Sequence, residues 1–166
     1  AAHHFGTISY PGDSIKQEYL EDILVGYRWH DTKKIPALYP FGHGLSYTTF
    51  EYGKPTLSAK TLSPEGTLTV SIPVRNTGMR QGKETVQLYV GDEKASVVRP
   101  LKELKHFSKI DLAPGAEQTV TFTVTPDDLK FYDPTTASWV AEPGKFKLYI
   151  GSSSTDIRAT APFTLQ

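Results

Sequence analysis

The stretch T-V-T-F-T-V-T, from Thr119 to Thr125, alternates strictly between polar and apolar residues. Val120, Phe122 and Val124 would share one face of an extended chain, because successive side chains of a strand point to opposite sides. The threonines on the other face are β-branched and suit the solvated surface of a strand. This period of two predicts a half-buried β-strand. The stretch decides the fold class because the same pattern recurs on both sides of it.

Working outward, alternation also marks Leu68 to Val74 and the segment 86–90, where Val86, Leu88 and Val90 are expected inward and Tyr89 outward. Pro73 cannot donate to a ladder, so its strand is expected at an edge or with a bulge. Further strands are predicted over 56–59, 146–150 and 158–165, with Gly/Pro turns between them. Strands at this spacing, with almost no helical period, predict an all-β, fibronectin type III/immunoglobulin-like antiparallel β-sandwich.

Residues 99–112 are less regular. Their apolar positions include Leu104 and Phe107, whereas Lys102, Glu103 and Lys105 are expected to stay exposed. Further on, we interpret the adjacent acids of the segment 126–129 as a helix-capping turn rather than a catalytic dyad. Trp139 is expected in the core or at a corner, with a sugar platform as the alternative.

Before the sandwich the pattern is harder to assign. Glu21 to Asp31 approximates one helical face and is interpreted as a short helix, although Gly26 in its middle would cost about 1 kcal/mol relative to Ala. Arg28 and Trp29 would serve core packing or an interdomain ion pair, or alternatively stack on a sugar. Tyr10 to Asp13 is a turn by composition. A metal site from His3, His4 and Asp13 is the less favoured interpretation of those three side chains.

The stretch Y-P-F-G-H-G-L-S-Y-T-T-F, from Tyr39 to Phe50, joins the two regions. It carries apolar area out of proportion to its length, whereas a solvated linker would be polar. We therefore interpret it as a buried interdomain connector. The alternative is that His43 acts as a catalytic base or a ligand, but no partner for it lies nearby in the sequence.

Composition excludes several classes of protein. The 166 residues contain 18 Lys+Arg and 18 Asp+Glu, so the net charge of zero argues against nucleic acid or an anionic membrane as a partner. The chain has no cysteine, and hence no disulfide framework or thiolate metal site. No apolar run is long enough to span a membrane, and the start does not read as a signal peptide. No cofactor and no metal are predicted.

Several motifs in order resemble the C-terminal region of glycoside hydrolase family 3, the β-glucosidase-like enzymes. They are V-G-Y-R-W-H-D (Val25 to Asp31), P-F-G-H-G-L-S-Y-T-T-F (Pro40 to Phe50), R-P-L-K-E-L-K-H-F (Arg99 to Phe107), L-A-P-G (Leu112 to Gly115), W-V-A-E-P-G-K-F (Trp139 to Phe146) and G-S-S-S-T-D-I-R (Gly151 to Arg158). The resemblance implies that residues 1–53 are a connector, the tail of a preceding α/β sandwich domain. Residues 54–166 would then form a fibronectin type III-like β-sandwich.

The same resemblance implies where the chemistry lies. The nucleophilic Asp of the family sits in a Ser-Asp-aromatic motif of its barrel domain, and no Ser-Asp occurs here. Its acid/base Glu lies upstream of the V-G-Y-R-W stretch, so neither catalytic carboxylate is expected in this chain. Glycoside hydrolysis needs two carboxyl groups about 5–9.5 Å apart, whereas the acids here are scattered over turns. The parent would be a retaining, exo-acting β-glycosidase, periplasmic or secreted.

We therefore expect a non-catalytic architectural module whose partners are the catalytic domains of the same parent, and through them a β-glucoside or oligosaccharide. The alternatives are a carbohydrate-binding sandwich with two or more coplanar exposed aromatics, or a chain that is catalytic with a separate partner chain. The candidate interdomain contacts are Tyr27, Arg28, Trp29, Phe41, His43, Tyr47 and Phe50. The candidate sugar-stacking residues are Tyr89, Tyr132, Trp139 and Tyr149.

Overall fold

The structure is a computed structural model that describes residues 15–166. The predicted turn at Tyr10 to Asp13 and the three-residue metal alternative lie outside the described residues. Within these described residues one α-helix precedes the strands, and a short 3₁₀ helix, Pro126–Leu129, follows the strand that ends at Val124. The elements are α1 Tyr27–Lys33, β1 Phe50–Tyr52, β2 Thr56–Leu57, β3 Thr61–Leu62, β4 Leu68–Asn76, β5 Gly82–Asp92, β6 Glu103–Leu112, β7 Glu117–Val124, β8 Phe131–Asp133, β9 Ser138–Val140, β10 Gly144–Gly151 and β11 Ile157–Leu165.

The long strands form two sheets. In the first sheet β4 is central, with β7 on one side and the short strands β1 and β2 sharing the other. The second sheet has the order β3-β11-β10-β5-β6 and is antiparallel except for the short β3–β11 pair. Strands β8 and β9 form a separate two-stranded hairpin. The predicted all-β sandwich is confirmed.

The core lies between the two sheets. Each long strand contributes alternate apolar residues to it, as the period-two patterns predicted: in β4 Leu68, Val70, Ile72 and Val74 are fully buried, with polar or small residues between them. From the second sheet the core receives apolar side chains of β5, β10 and β11, including the stacked rings of Phe146 and Phe163, 5.6 Å apart.

Pro73 does not lie in an edge strand, and that prediction was wrong, because β4 pairs on both sides. The carbonyl of Pro73 accepts from the backbone N–H of Gly53 at 2.8 Å. The N–H and C=O of one residue point to the same side of an antiparallel strand. The N–H that proline lacks would therefore also have pointed toward the β1–β2 side of β4. There the edge is interrupted between β1 and β2. The proline therefore costs no bond in the continuous ladder to β7.

The expectation that three charged side chains of residues 99–112 stay exposed was also wrong, since those of Glu103 and Lys105 are only 19% exposed. Phe107, one of the apolar positions of this segment, is exposed, because its side chain lies on the outer face of β6. Lys102 is only 5% exposed, although it was expected in solvent. The outer face of the second sheet is covered near Lys102 by the segment that precedes the sandwich, and a position on that face is therefore not a solvated one.

The predicted helix over 21–31 is displaced. Helix α1 begins at Tyr27 and ends at Lys33, and Gly26 is its N-cap with φ of +64° rather than a residue in its middle. A positive φ is incompatible with a right-handed helix and is adopted without strain only by glycine, so no helix can run from residue 21 through Gly26 to residue 31. The first strand, β1, lies within the segment 1–53, and the domain division after residue 53 stays a prediction.

Candidate interdomain surface

Strand β5 is buried on both faces. Val86, Leu88 and Val90 point into the core as predicted, but Gln87 and Tyr89 on the opposite face are also buried. Tyr89 therefore points outward from the core as predicted, but it is not exposed to solvent as a sugar-stacking residue would be. The segment 1–53 is called the connector, and its part between residues 27 and 42 lies over this face of the second sheet and excludes water from it.

Tyr27, the first residue of α1, makes the central contact of the connector with the sandwich. Its ring stacks on Phe41 with centroids 4.6 Å apart, and it meets Tyr89 edge to face at 5.9 Å. Its hydroxyl accepts the backbone N–H of Leu104 at 2.8 Å. Burial raises the pKa of the Tyr27 hydroxyl above its usual value. Aromatic pairs of this geometry contribute about 0.5–1.5 kcal/mol beyond their buried area.

The same helix carries polar anchors. The carboxylate of Asp31 lies 2.7 Å from the ammonium of Lys102, and both side chains are less than a tenth exposed. Thr32 accepts the backbone N–H of Leu101 at 2.9 Å. Because these two contacts join one turn of α1 to the two residues just before β6, the helix is held in one position relative to that strand.

A second attachment lies at Phe41 and Gly42. The carbonyl of Phe41 accepts the backbone N–H of Ser154 at 2.9 Å. The carbonyl of Gly42 accepts from the side-chain amide of Gln87 at 3.2 Å, and the same amide donates to the carbonyl of Ser152. A groove of about 310 Å³ remains between α1 and the loop 37–41.

The connector enters the first sheet at a buried asparagine. The amide nitrogen of Asn76 donates to the carbonyls of Arg80 at 2.7 Å and Leu112 at 2.9 Å. Its amide oxygen accepts from the hydroxyl of Thr48 at 2.6 Å and from the backbone N–H of Gly78. All four hydrogen-bonding positions of this amide are thus used, which compensates for its complete burial. Phe50 then begins β1 and packs against the core.

The outward side of the connector exposes several large apolar side chains. Those between residues 38 and 47 are named the connector surface and include two that are more than nine-tenths exposed, Leu45 and Tyr47. Most of the large apolar side chains that residues 15–166 expose lie in the segment 15–47. The members of the connector surface are Leu38, Tyr39, Phe41, Leu45 and Tyr47.

The other predicted interdomain residues lie in the same region. His43 is exposed in a turn, where its backbone N–H donates to Pro40 at 3.0 Å and its ring lies 6.2 Å from that of Tyr39. Arg28 forms an ion pair with Glu103 at 3.3 Å, and Trp29 is half-buried beneath the ammonium of Lys33. Their role as interdomain contacts stays a prediction.

The four candidate sugar-stacking residues do not form a row. Tyr89 is buried and Tyr149 is half-buried. Tyr132 and Trp139 are exposed on the β8–β9 hairpin, so the expectation of Trp139 in the core or at a corner was wrong. Their rings are 5.8 Å apart at an interplanar angle of 71°, and the two faces are therefore not coplanar.

The acids of the segment 126–129 are used structurally, as predicted. Asp128 accepts the backbone N–H of Thr125 at 2.8 Å and thereby caps the 3₁₀ helix. It also lies 3.1 Å from the ring nitrogen of His106. Asp127 forms an ion pair with Lys130 at 2.6 Å. Both carboxylates of the turn therefore have structural partners.

Sequence reasoning did not identify Asp31, Lys102 and Gln87 as contact residues. A usable signal was present in β5, where Val86 to Gly91 contains no charged residue on either face. A strand with one solvated face would be expected to carry charges there, so this run indicates that both faces are covered.

None of the helices within residues 15–166 has both the length and the apolar character that a membrane-spanning helix needs.

Comparison with known proteins agrees with this architecture. A family model described as a fibronectin type III-like domain matches residues 84–154. Beta-glucosidase BoGH3A of Bacteroides ovatus is 61% identical over 162 residues, which are 98% of this chain and 22% of that protein. Thermostable beta-glucosidase B of Acetivibrio thermocellus is 47% identical over 94% of this chain and 21% of its own length.

Solved structures give the same result. The GH3 beta-glucosidase of Bifidobacterium adolescentis superposes with a TM-score of 0.88 at 38% identity, over 96% of this chain and 23% of that one. DesR, a beta-glucosidase from Streptomyces venezuelae, superposes with a TM-score of 0.86 at 39% identity, over 98% and 20% of the two chains. The chain spans about a fifth of the length of these relatives. It therefore matches a fibronectin type III-like domain over residues 84–154 and, over almost its whole length, the C-terminal region of glycoside hydrolase family 3 β-glucosidases.

Proposed function

We propose that the chain is the C-terminal architectural module of a family 3 β-glucosidase-like glycoside hydrolase. The parent would hydrolyse β-glycosides from the chain end with retention of configuration, and this module would stabilise its catalytic domains without supplying a catalytic carboxylate. Support comes from relatives named β-glucosidases that match over almost the whole chain but over only a fifth of their own length. One relative, 45% identical, is named a periplasmic β-glucosidase, which supports a periplasmic or secreted parent.

The observation that carries the proposal is the two-sided character of the connector. Its inner side is attached to the sandwich by Tyr27, Asp31 and Gly42, whereas its outer side exposes the connector surface. Contiguous exposed apolar side chains mark surfaces that bind another protein surface. The partner that we assign to the connector surface is the remaining four-fifths of the proposed parent enzyme, which contains its catalytic domains. On this reading residues 1–53 belong to the junction and residues 54–166 to the supporting sandwich.

The experiment replaces two members of the connector surface in the full-length parent, Leu45→Asp and Tyr47→Asp together. Both side chains are more than nine-tenths exposed in this chain, so the isolated chain should keep its unfolding free energy. In the parent each buried apolar side chain contributes about 1.5–3 kcal/mol. We expect the parent variant to lose several degrees of thermal stability, to become sensitive to trypsin at the junction and to lose hydrolysis of an aryl β-glucoside.

Met79→Asp is the matched control. Met79 is 95% exposed in the turn between β4 and β5, outside the connector, so its replacement puts an aspartate in place of an exposed apolar side chain away from the proposed interface. A double variant of the parent that behaves like the Met79→Asp parent would exclude the connector surface as the interdomain contact.

The carbohydrate-binding alternative is not favoured by the arrangement of the aromatic residues. It required two coplanar exposed rings, whereas Tyr132 and Trp139 stand at 71° to each other and Tyr89 is buried. Titration of the isolated chain with β-glucan oligosaccharides tests it directly. Saturable binding that is lost in Trp139→Ala would restore this alternative.

A further inference from the structure

Lys102 places a cation on the outer face of the second sheet beneath the connector. Its ammonium lies 2.7 Å from Asp31, and it is 5.9 Å from the ring centroids of both Tyr89 and Tyr149. The Lys102 side chain is 7% exposed, and that of Asp31 is 6% exposed. One partner of this pair comes from the connector and the other from the sandwich, so the pair exists only while the connector is docked.

A row of buried polar groups leads from Lys102 to the second attachment. The ammonium lies against Tyr89, and the hydroxyl of Tyr89 donates to the side-chain carbonyl of Gln87 at 2.5 Å. The amide nitrogen of Gln87 in turn donates to the carbonyl of Gly42 at 3.2 Å. Lys102, Tyr89 and Gln87 thus meet the connector at two points that are separated by ten residues of its sequence.

Such a row acts differently from the apolar contacts around it. Apolar contacts are non-directional and tolerate a sliding helix, whereas a buried ion pair is favourable only at close range and with its partner present. A displaced connector would leave either Asp31 or Lys102 buried without its counter-charge, which is strongly unfavourable. The pair is therefore a better determinant of position than of overall stability.

We propose that Lys102 is the positioning residue of the connector. It selects the register in which Asp31 lies over it, and through Tyr89 and Gln87 it aligns the loop that presents the connector surface. The surface is then formed on the sandwich before any other part of the parent binds. What the surface binds rests on the proposed function, whereas the docking itself is a property of this chain alone.

The test uses hydrogen exchange in the isolated chain. Three backbone amides of the sandwich donate to residues 27–41 of the connector and report its docking: Leu101 to Thr32, Leu104 to Tyr27 and Ser154 to Phe41. In Lys102→Met we expect these amides to exchange at least tenfold faster, while the core amide of Ile72 stays slow. Lys105→Met is the control, since Lys105 lies on β6 with only a 3.7 Å contact to Glu103 and should leave all three amides slow.

A double-mutant cycle separates positioning from simple loss of packing. Asp31→Asn alone should accelerate exchange like Lys102→Met, because either change leaves one buried charge unpaired. The double variant leaves no charge behind, so its acceleration should be at least tenfold smaller than the product of the two single effects. Asp31 lies in the connector, so Asp31→Asn decides the question even if Lys102→Met unfolds the sandwich.

Exchange in Asp31→Asn as slow as in the unchanged chain, or multiplicative effects in the cycle, would overturn the proposal. That outcome would leave the architectural role intact if Leu45→Asp with Tyr47→Asp still destabilises the parent. If instead the exchange results are as expected but Leu45→Asp with Tyr47→Asp leaves the parent unchanged, Lys102 is retained as the positioning residue and the assigned partner is rejected.

Discussion

At the scale of single residues, Gly42 leaves the least room for a side chain among the glycines of residues 15–53. Its φ is +77°, and a Cβ built on it would lie 2.2 Å from the side-chain oxygen of Gln87. Gln87 cannot move aside without breaking its bonds to Ser152 and Tyr89. We expect Gly42→Ala to lower the unfolding free energy by about 1–3 kcal/mol, the range typical of such backbone strain.

Urea denaturation measures this loss, and Gly44→Ala is the matched control. Gly44 lies two residues further on, and a Cβ built there meets no heavy atom within 4 Å. The control should therefore change the unfolding free energy by less than about 0.5 kcal/mol. Equal effects of the two substitutions would show that the connector does not hold Gly42 against Gln87.

At the scale of elements, a hydrogen bond between Tyr52 of β1 and Glu84 of β5 joins the two sheets. The hydroxyl of Tyr52 donates to the carboxylate at 2.8 Å. Burial raises the pKa of Glu84 above its usual 4.5, although the bond from Tyr52 and the charge of Arg158 act in the opposite direction. The folded chain therefore holds this proton more tightly than the unfolded chain does, and ionisation of Glu84 reduces stability as pH rises.

Glu84→Gln keeps an acceptor for Tyr52 and removes the charge. Below pH 4.5 we expect the variant and the unchanged chain to have similar unfolding free energies. As pH rises through the elevated pKa the variant should become the more stable of the two, and the difference should then level off. Denaturation between pH 3 and pH 8 measures it, with the exposed Glu51→Gln on β1 as the control. A difference that falls with rising pH would contradict the assignment.

At the scale of the whole molecule, the described chain is a β-sandwich with part of the connector packed on the outer face of its second sheet. The parent's chemistry needs two carboxyl groups about 5–9.5 Å apart in a rigid pocket. Carboxylates of this chain that are partly or fully buried have structural partners instead: Asp128 caps the 3₁₀ helix, and Asp31 pairs with Lys102. We expect the purified chain not to hydrolyse an aryl β-glucoside, whereas the full-length parent should do so.

Intact mass on the same sample verifies that the preparation contains a single 18.4 kDa species. Turnover that follows this species through further purification would contradict the proposed division of labour. A second chain in the active fractions would instead point to a nicked parent, in which the catalytic groups are supplied by the other piece.

The sequence by itself determined the sandwich and its core. Alternation in segments such as Leu68 to Val74 is a local property, because neighbouring side chains of a strand point to opposite faces whatever the rest of the chain does. The family resemblance was also readable directly from motifs such as Pro40 to Phe50, which are contiguous in the chain. Both the alternation and the motifs can be recognised without knowledge of the tertiary structure.

Only the tertiary structure decided which outer faces are covered. Tyr89 and Lys102 occupy positions that alternation assigns to solvent, yet the connector buries both by contacts across 62 to 71 positions of sequence, from Tyr27 and Asp31. The placement of Pro73 opposite the interruption between β1 and β2 is likewise a property of pairing. Such contacts join residues that are distant in sequence, so no local pattern encodes them, and the junction that we propose for the parent rests on them.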